Sequence, residues 1–299
     1  MIAGCGSFAI MSALAHAAGE RCNWQTVAFF RSFLVLFFVG SLSLATDVKL
    51  VLFRPRRLWI RSIAGSLSLV MAFYALSKLK ASTVVTLSNT FPIWVAVLSW
   101  PVLRVLPSHR VWLAVLGGIA GVYLIQQPHG ADDDFAILLA LFSAMATSVA
   151  MIGLHKLRGV NPNAIVVHFS LVATVASSSA FFLFERRTDA IPFYDLSVAG
   201  LLLGVGLTAS IGQMCLTRAF TTGDAAKVSV VGLSQVVFTL IIDVVFTGHE
   251  VTTIAFIGTL LILIPTAWVM MERSGPAVKP ELLTPIDLTL AADPTGGGS

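Results

Sequence analysis

The chain has 299 residues, 57% of them hydrophobic and only 11% charged, with a formal net charge of +4 and a mean hydropathy of +0.89. Soluble globular domains carry about 25% charged residues, so an ordinary water-soluble fold is excluded. The small basic excess is read as membrane topology, with the lipid bilayer as the chain's surroundings and no nucleic-acid partner.

Apolar runs long enough to cross a bilayer recur along nearly the whole length and predict ten spans. They lie at residues 2–18, 24–44, 58–76, 82–103, 111–125, 135–155, 164–184, 196–216, 228–246 and 253–271. The fold class is therefore an all-α integral membrane protein. The first run has no basic start and is read as a transmembrane helix, not a cleaved signal. Cys5, Cys22 and Cys215 show no paired spacing and no metal motif, so neither a disulfide framework nor a metal is expected, and no cofactor. The polar tail at 272–299 is read as disordered and cytoplasmic.

Span two carries Arg31, roughly 10 Å in from Trp24 at 1.5 Å per residue. It snorkels outward, caps a neighbouring helix, or pairs with a carboxylate such as Asp243. Span three contributes Tyr74. Span four reads "TLSNTFPIWVAVLSW" from Thr86 to Trp100 and places Ser88, Asn89 and Thr90 just before Pro92. Proline removes a backbone donor and leaves the Ser88 carbonyl without its helical partner. In lipid such a group must be re-satisfied by neighbours or by a wet cavity. On a continuous helix Thr86, Asn89, Thr90 and Ile93 share a face, and Trp94 adds an aromatic wall one turn on. The alternative is a kink with Asn89 joining two helices.

In span five, "GGIAG" permits close packing within the chain or between two copies, which leaves a homodimer open. Span six offers Thr147 and Ser148, span one Ser12, and span seven His168, read as a packing histidine. Span eight adds Ser210, Gln213 and Thr217. In span nine Gln235, Thr239 and Asp243 recur at i, i+4 and i+8 and stack on one face. Asp243 is either a coupling group or a carboxylate solvated at the external interface. For any single serine or threonine, a bond back to its own helix is the commoner arrangement.

Basic residues set the orientation. Lys49, Arg54, Arg56, Arg57, Arg61, Arg104, Arg110, Lys156, Arg158, Arg218, Lys227, Arg273 and Lys279 fall on one side, against Arg21, Lys78, Lys80, Arg186 and Arg187 on the other. Basic loops are cytoplasmic, so the protein is expected in the cytoplasmic (inner) membrane with both termini inside and Asp132–Asp134 outside. Shifting the region around span four by about 144 residues lays it on span nine, with Ala75 on Ala219, Ala81 on Ala225 and Val84 on Val228. A second match lays "TVAFF" (26–30) on "IVVHF" (165–169). Two repeats, 1–126 and 135–271, each holding five spans, must insert in opposite orientations, as in many secondary transporters.

The stretches "VAFFRSFLVLFF", "FYALSKLKASTVVTLSNTFPIWVAVLSW" and "VWLAVLGGIAGVYLIQQP" resemble the EamA-like branch of the drug/metabolite transporter superfamily. The resemblance implies ten helices in two inverted five-helix repeats. It also implies alternating access to a cavity lined by helices one, three, four, six, eight and nine. Implied substrates include amino acids, nucleosides, S-adenosylmethionine and other small polar compounds, with an arginine such as Arg31 serving a structural role. Two departures stand out: Val236, preceded by Gln235, replaces the second-half proline, and "RVLPSHR" lacks the acidic residue that "GHE" keeps at Glu250.

Together these point to a secondary transporter for a small polar, zwitterionic or neutral metabolite. The candidate substrate residues are Tyr74, Thr86, Asn89, Thr90, Trp94, Gln213, Gln235 and Thr239, with Pro92 as the kink. The alternatives are an uptake permease for a cationic metabolite such as S-adenosylmethionine, or a membrane scaffold or receptor. No HExxH helix, GxSxG elbow or spaced pair of membrane carboxylates supports an enzyme, and no filter sequence supports a channel.

Overall fold

The computed structural model describes residues 1–51, 53, 55–79, 81–104, 106–126, 133–184, 195–247 and 252–271. The Asp132 end of the acidic cluster, Glu250 and the tail at 272–299 lie outside the described residues, as does the side chain of Asp243. Over the described residues the regular structure is helical, with no strand.

In chain order the helices are α1 (Ile2–Gly19), α2 (Trp24–Ala45), α3 (Arg56–Lys78), α4 (Ala81–Ser88), α5 (Phe91–Leu98), α6 (His109–Gln126), α7 (Asp134–His155), α8 (Pro162–Phe184), α9 (Leu196–Thr222), α10 (Ala225–Gly232), α11 (Ser234–Thr247) and α12 (Thr253–Met271). Among the described residues, eight segments are long and apolar enough to cross a membrane, with α4–α5 and α10–α11 each counting as one. Two shorter apolar helices, His109–Ile125 and Thr253–Trp268, lie at the ends of the two matched halves. Spans four and nine, expected as single helices, are each divided in two. The fourth ends in a π-helical turn, Ser99–Leu103, closed by Arg104 in the left-handed region at φ 55. Pro101 sits inside that turn, where its missing N–H favours a change of hydrogen-bond register.

Helix starts are capped by acids. Asp133 accepts from the Ala136 amide at 3.0 Å, Asp195 from Ser197 at 2.9 Å and Asp224 from Lys227 at 3.0 Å. Each satisfies one of the amides that a helix start leaves without an intrahelical partner. The Ser197 hydroxyl and amide hold the Asp195 carboxyl below its ordinary range.

The packing follows a pattern of exchange. Helix α3 lies on α7 and α8, while α9 lies on α1 and α2. Helix α5 packs on α7 as α11 packs on α1, and the pairs α2–α8 and α6–α12 meet directly. For these contacts, exchanging each helix with the one numbered six away gives the matching contact in the other half. Close approaches use small residues, as packing in lipid requires. At the α6–α12 contact a side chain on Gly121 would stand 2.5 Å from the Gly258 carbonyl, and one on Gly258 would stand 2.7 Å from the Gly121 carbonyl. The "GGIAG" stripe is thus used within the chain. Helices α3 and α7 are joined by hydroxyls: Ser68 Oγ donates to the Ser143 carbonyl and Ser143 Oγ to the Ser68 carbonyl, both at 3.0 Å. Thr147 stands 2.6 Å from the Ser68 hydroxyl.

One basic residue is displaced from its expected place. Arg61, counted with the loop cations, lies one and a half turns inside α3 and is only 1% exposed. An apolar stretch running on both sides of it draws it into the bundle.

Candidate functional site

The two divided helices are the first candidate. Helices α4 and α10 are eight residues each, and they begin and end 144 residues apart. Asn89 and Thr90 form the turn that separates α4 from α5, and Pro92 sits in the first turn of α5. The Asn89 side-chain amide donates to the Val85 carbonyl at 2.8 Å, and the Thr90 hydroxyl to the Leu87 carbonyl at 2.6 Å. The same carbonyls also accept backbone amides, Val85 from Asn89 at 2.9 Å and Leu87 from Thr90 at 3.1 Å, so the two side chains add second bonds at the end of α4.

Leu233 separates α10 from α11 without a proline. Ser234 Oγ donates to the Val231 carbonyl at 2.7 Å. The Cys5 thiol, from α1, reaches the carbonyls of Val231 and Gly232 at 3.6 and 3.7 Å. The fully buried Leu233 side chain fits against Gly118, where a Cβ would come within 2.5 Å of it. Gly232 faces Phe91, the first residue beyond the other break, with 3.5 Å between its Cβ position and the ring. The two breaks therefore abut.

The remaining expected residues divide into groups. The single face proposed for Thr86, Asn89, Thr90 and Ile93 required a continuous helix; the turn interrupts it, and Ile93 packs instead on Val111, Ala114, Ala226 and Val230. Thr86 is buried, Trp94 is half-buried on α5, and the Tyr74 ring meets Phe135 edge-on at 6.1 Å. Gln235 and Thr239 do share a face of α11, with the Thr239 hydroxyl donating to the Gln235 carbonyl at 3.1 Å. Ser12, Ser148 and Ser210 bond back to their own helices. His168 is held by the Ser62 hydroxyl at 2.7 Å and by the Trp59 ring edge-on at 4.8 Å.

A second locus brings together residues that the linear reading kept apart. Arg31 of α2, Ser170 and Phe169 of α8, and Gln213 of α9 line a cavity of about 10 Å³, room for about one water molecule. Arg31 Nε donates to Met11 Sδ at 3.3 Å. The Arg61 guanidinium lies 4.2 Å over the Phe169 ring, on which it stacks. An arginine costs about 2.5–3.5 kcal/mol to insert at a helix centre on translocon scales, and less toward its ends, so two drawn inside one bundle still need a reason. Phe169, Ser170 and Arg61 were not singled out from sequence. Only Arg61 left a signal: a fourth arginine after "RPRR", set among apolar residues.

The EamA-like transporter family's model matches residues 1–127 and 134–271. The pseudopaline exporter CntI of Pseudomonas aeruginosa (strain UCBPP-PA14) is 25% identical over 272 residues, covering 90% of this chain and 94% of that protein. An uncharacterized transporter of Helicobacter pylori (strain J99) is 22% identical over 264 residues, covering 86% and 88%. One solved crystal structure superposes with a TM-score of 0.78 at 18% identity, covering 90% of this chain and 98% of that one, a likeness of fold alone.

Proposed function

The chain belongs to the EamA-like transporter family, and from that premise we propose that it is a secondary transporter moving a small polar, zwitterionic or neutral metabolite by alternating access. The family and its transporter relatives point to a transporter rather than an enzyme. In this reading the two shorter apolar helices also cross the membrane, bringing the spans to ten in two inverted repeats, residues 1–126 and 135–271. In this reading both termini lie in the cytoplasm and the chain in the inner membrane, which the distribution of basic loops supports.

The observation that carries the proposal is the abutting pair of helix breaks, 144 residues apart in sequence and in contact in space. Discontinuous helices meeting between two repeats are where secondary transporters place their sites. The exchange pattern of helix contacts supports the same reading, because one repeat rocking against the other needs equivalent interfaces on the two sides. We assign Tyr74, Thr86, Asn89, Thr90 and Trp94 to the first-half wall of the substrate path. Gln213, Gln235 and Thr239 form the second-half wall, and Pro92 is the kink.

The test is counterflow into proteoliposomes holding the purified chain and preloaded with a mixture of amino acids, nucleosides and small organic cations, read by mass spectrometry. A narrow set of zwitterionic or neutral solutes should exchange above protein-free vesicles, saturably. Exchange of none, or of cations alone, rejects the proposal.

A further inference from the structure

The cavity between α2, α8 and α9, and the wall behind it, hold polar groups without a partner among the described residues. Ser170 is 1% exposed and its hydroxyl has no partner among the described residues. Arg61 is equally buried and its Nε is likewise unpartnered, while its guanidinium covers the Phe169 ring that forms one wall. Arg31 lines the cavity directly, with Gln213, itself 5% exposed, from the third helix. The ion pair found among the described residues, His16 with Glu20 at 4.0 Å, involves neither arginine. Arg31 at the cavity and Arg61 behind its Phe169 wall are thus two cations with no ion pair to any described acid side chain.

We propose that this cavity is the seat of a carboxylate group on the transported solute, with Arg31 as its principal partner and Ser170 and Gln213 as supporting donors. The inference rests on the transport reading and narrows its substrate class to carboxylate-bearing compounds, zwitterionic amino acids among them. A guanidinium presents paired N–H donors in a planar fork that matches the two oxygens of a carboxylate. The Ser170 hydroxyl and the Gln213 amide can then serve the remaining lone pairs. Arg61 adds positive field from behind Phe169 without touching the ligand. The space of about 10 Å³ is room for about one water, so it admits one carboxylate oxygen, and the rest of the solute lies outside it.

Position strengthens the case. The register that lays residues 26–30 on 165–169 lays Arg31 on Ser170. The cavity therefore lies where matched positions of the two halves meet, on the directly packed pair α2–α8. A bond made there spans both halves, which is what a substrate must do to couple their movement.

The experiment uses the full chain in lipid nanodiscs, followed by thermal unfolding against acetate, L-alanine, L-phenylalanine and L-aspartate. Acetamide, L-alaninamide, L-phenylalaninamide and inorganic phosphate are the controls. At least one carboxylate compound should raise Tm at a concentration at least tenfold below its amide and below phosphate. Arg31→Gln should weaken that binding at least tenfold, Ser170→Ala about threefold, and Arg31→Lys less than Arg31→Gln, because charge survives while the fork is lost. Arg31→Lys and Ser170→Ala keep the test decisive if Arg31→Gln does not fold. Equal binding of amides, binding of phosphate alone, unchanged binding in the variants, or no stabilisation by any carboxylate compound overturns the proposal. Counterflow with the same variants separates the two readings: solute exchange that Arg31→Lys and Ser170→Ala leave unchanged removes the carboxylate seat and keeps the transporter. Absent exchange in the wild type removes the transporter, while the unfolding data still report on the seat.

Discussion

The two helix breaks reach the same geometry by different chemistry. Between α4 and α5, local residues do the work: Pro92 interrupts the ladder, and the Asn89 and Thr90 side chains add bonds to the Val85 and Leu87 carbonyls of the same segment. Between α10 and α11 no proline is present; Ser234 serves the Val231 carbonyl locally, as Thr90 serves Leu87, and neighbouring helices add to it. Leu233 is fixed against Gly118 of α6, and the Cys5 thiol of α1 reaches across to the Val231 and Gly232 carbonyls. The first break is written in its own sequence; the second, with only Ser234 as a local donor, leans on its neighbours. A helix interruption in lipid thus needs only that its backbone groups find partners, and the source of those partners is free to change.

Substitutions can break or sharpen this contrast. The largest effect is expected from Leu233→Ala, which empties a fully buried site at the second break. A loss of about 2–5 kcal/mol is expected, read as a fall in unfolding temperature in nanodiscs. Gly118→Leu attacks the same contact from the other side and should cost about 1–3 kcal/mol by overpacking. If both variants melt like the wild type, the second break does not depend on its neighbours. Asn89→Ala removes the amide that serves Val85 at the first break and should cost about 1 kcal/mol, a smaller loss because Thr90 and the backbone remain in place. A cost above that of Leu233→Ala would reverse the contrast. Cys5→Ala should be the mildest, under about 0.5 kcal/mol, since a thiol is a weaker donor than the groups behind ordinary hydrogen-bond values.

Much of the fold was legible because lipid imposes a simple rule on sequence. Apolar runs of the right length announced the helices, eight of them long enough to cross a membrane among the described residues, and helical spacing put Gln235 and Thr239 on one face. The shared face at Thr86–Ile93 failed because the same proline that drew attention to the segment also ends the helix on which that face depended. The break at Leu233 was hidden, since neither glycine, leucine nor serine there forbids a helix; the cause lies in Gly118, more than 100 residues away. Arg61 was misplaced for a related reason. A charge near the start of a span snorkels to the surface when the surface is within reach. Here Gly65 and Gly153 leave room beside it and Phe169 supplies a ring to lie against.

Composition and the periodicity of apolar runs were enough to determine that this chain lives in a bilayer as helices, because the solvent is uniform and each helix satisfies its own backbone. Which polar groups converge was decided by tertiary structure alone. Arg31, Arg61, Ser170 and Gln213 come from four helices, and no local pattern records their meeting. Side-chain partners in a bundle are set by which helices touch and at what height, a property of the packed assembly rather than of any one segment.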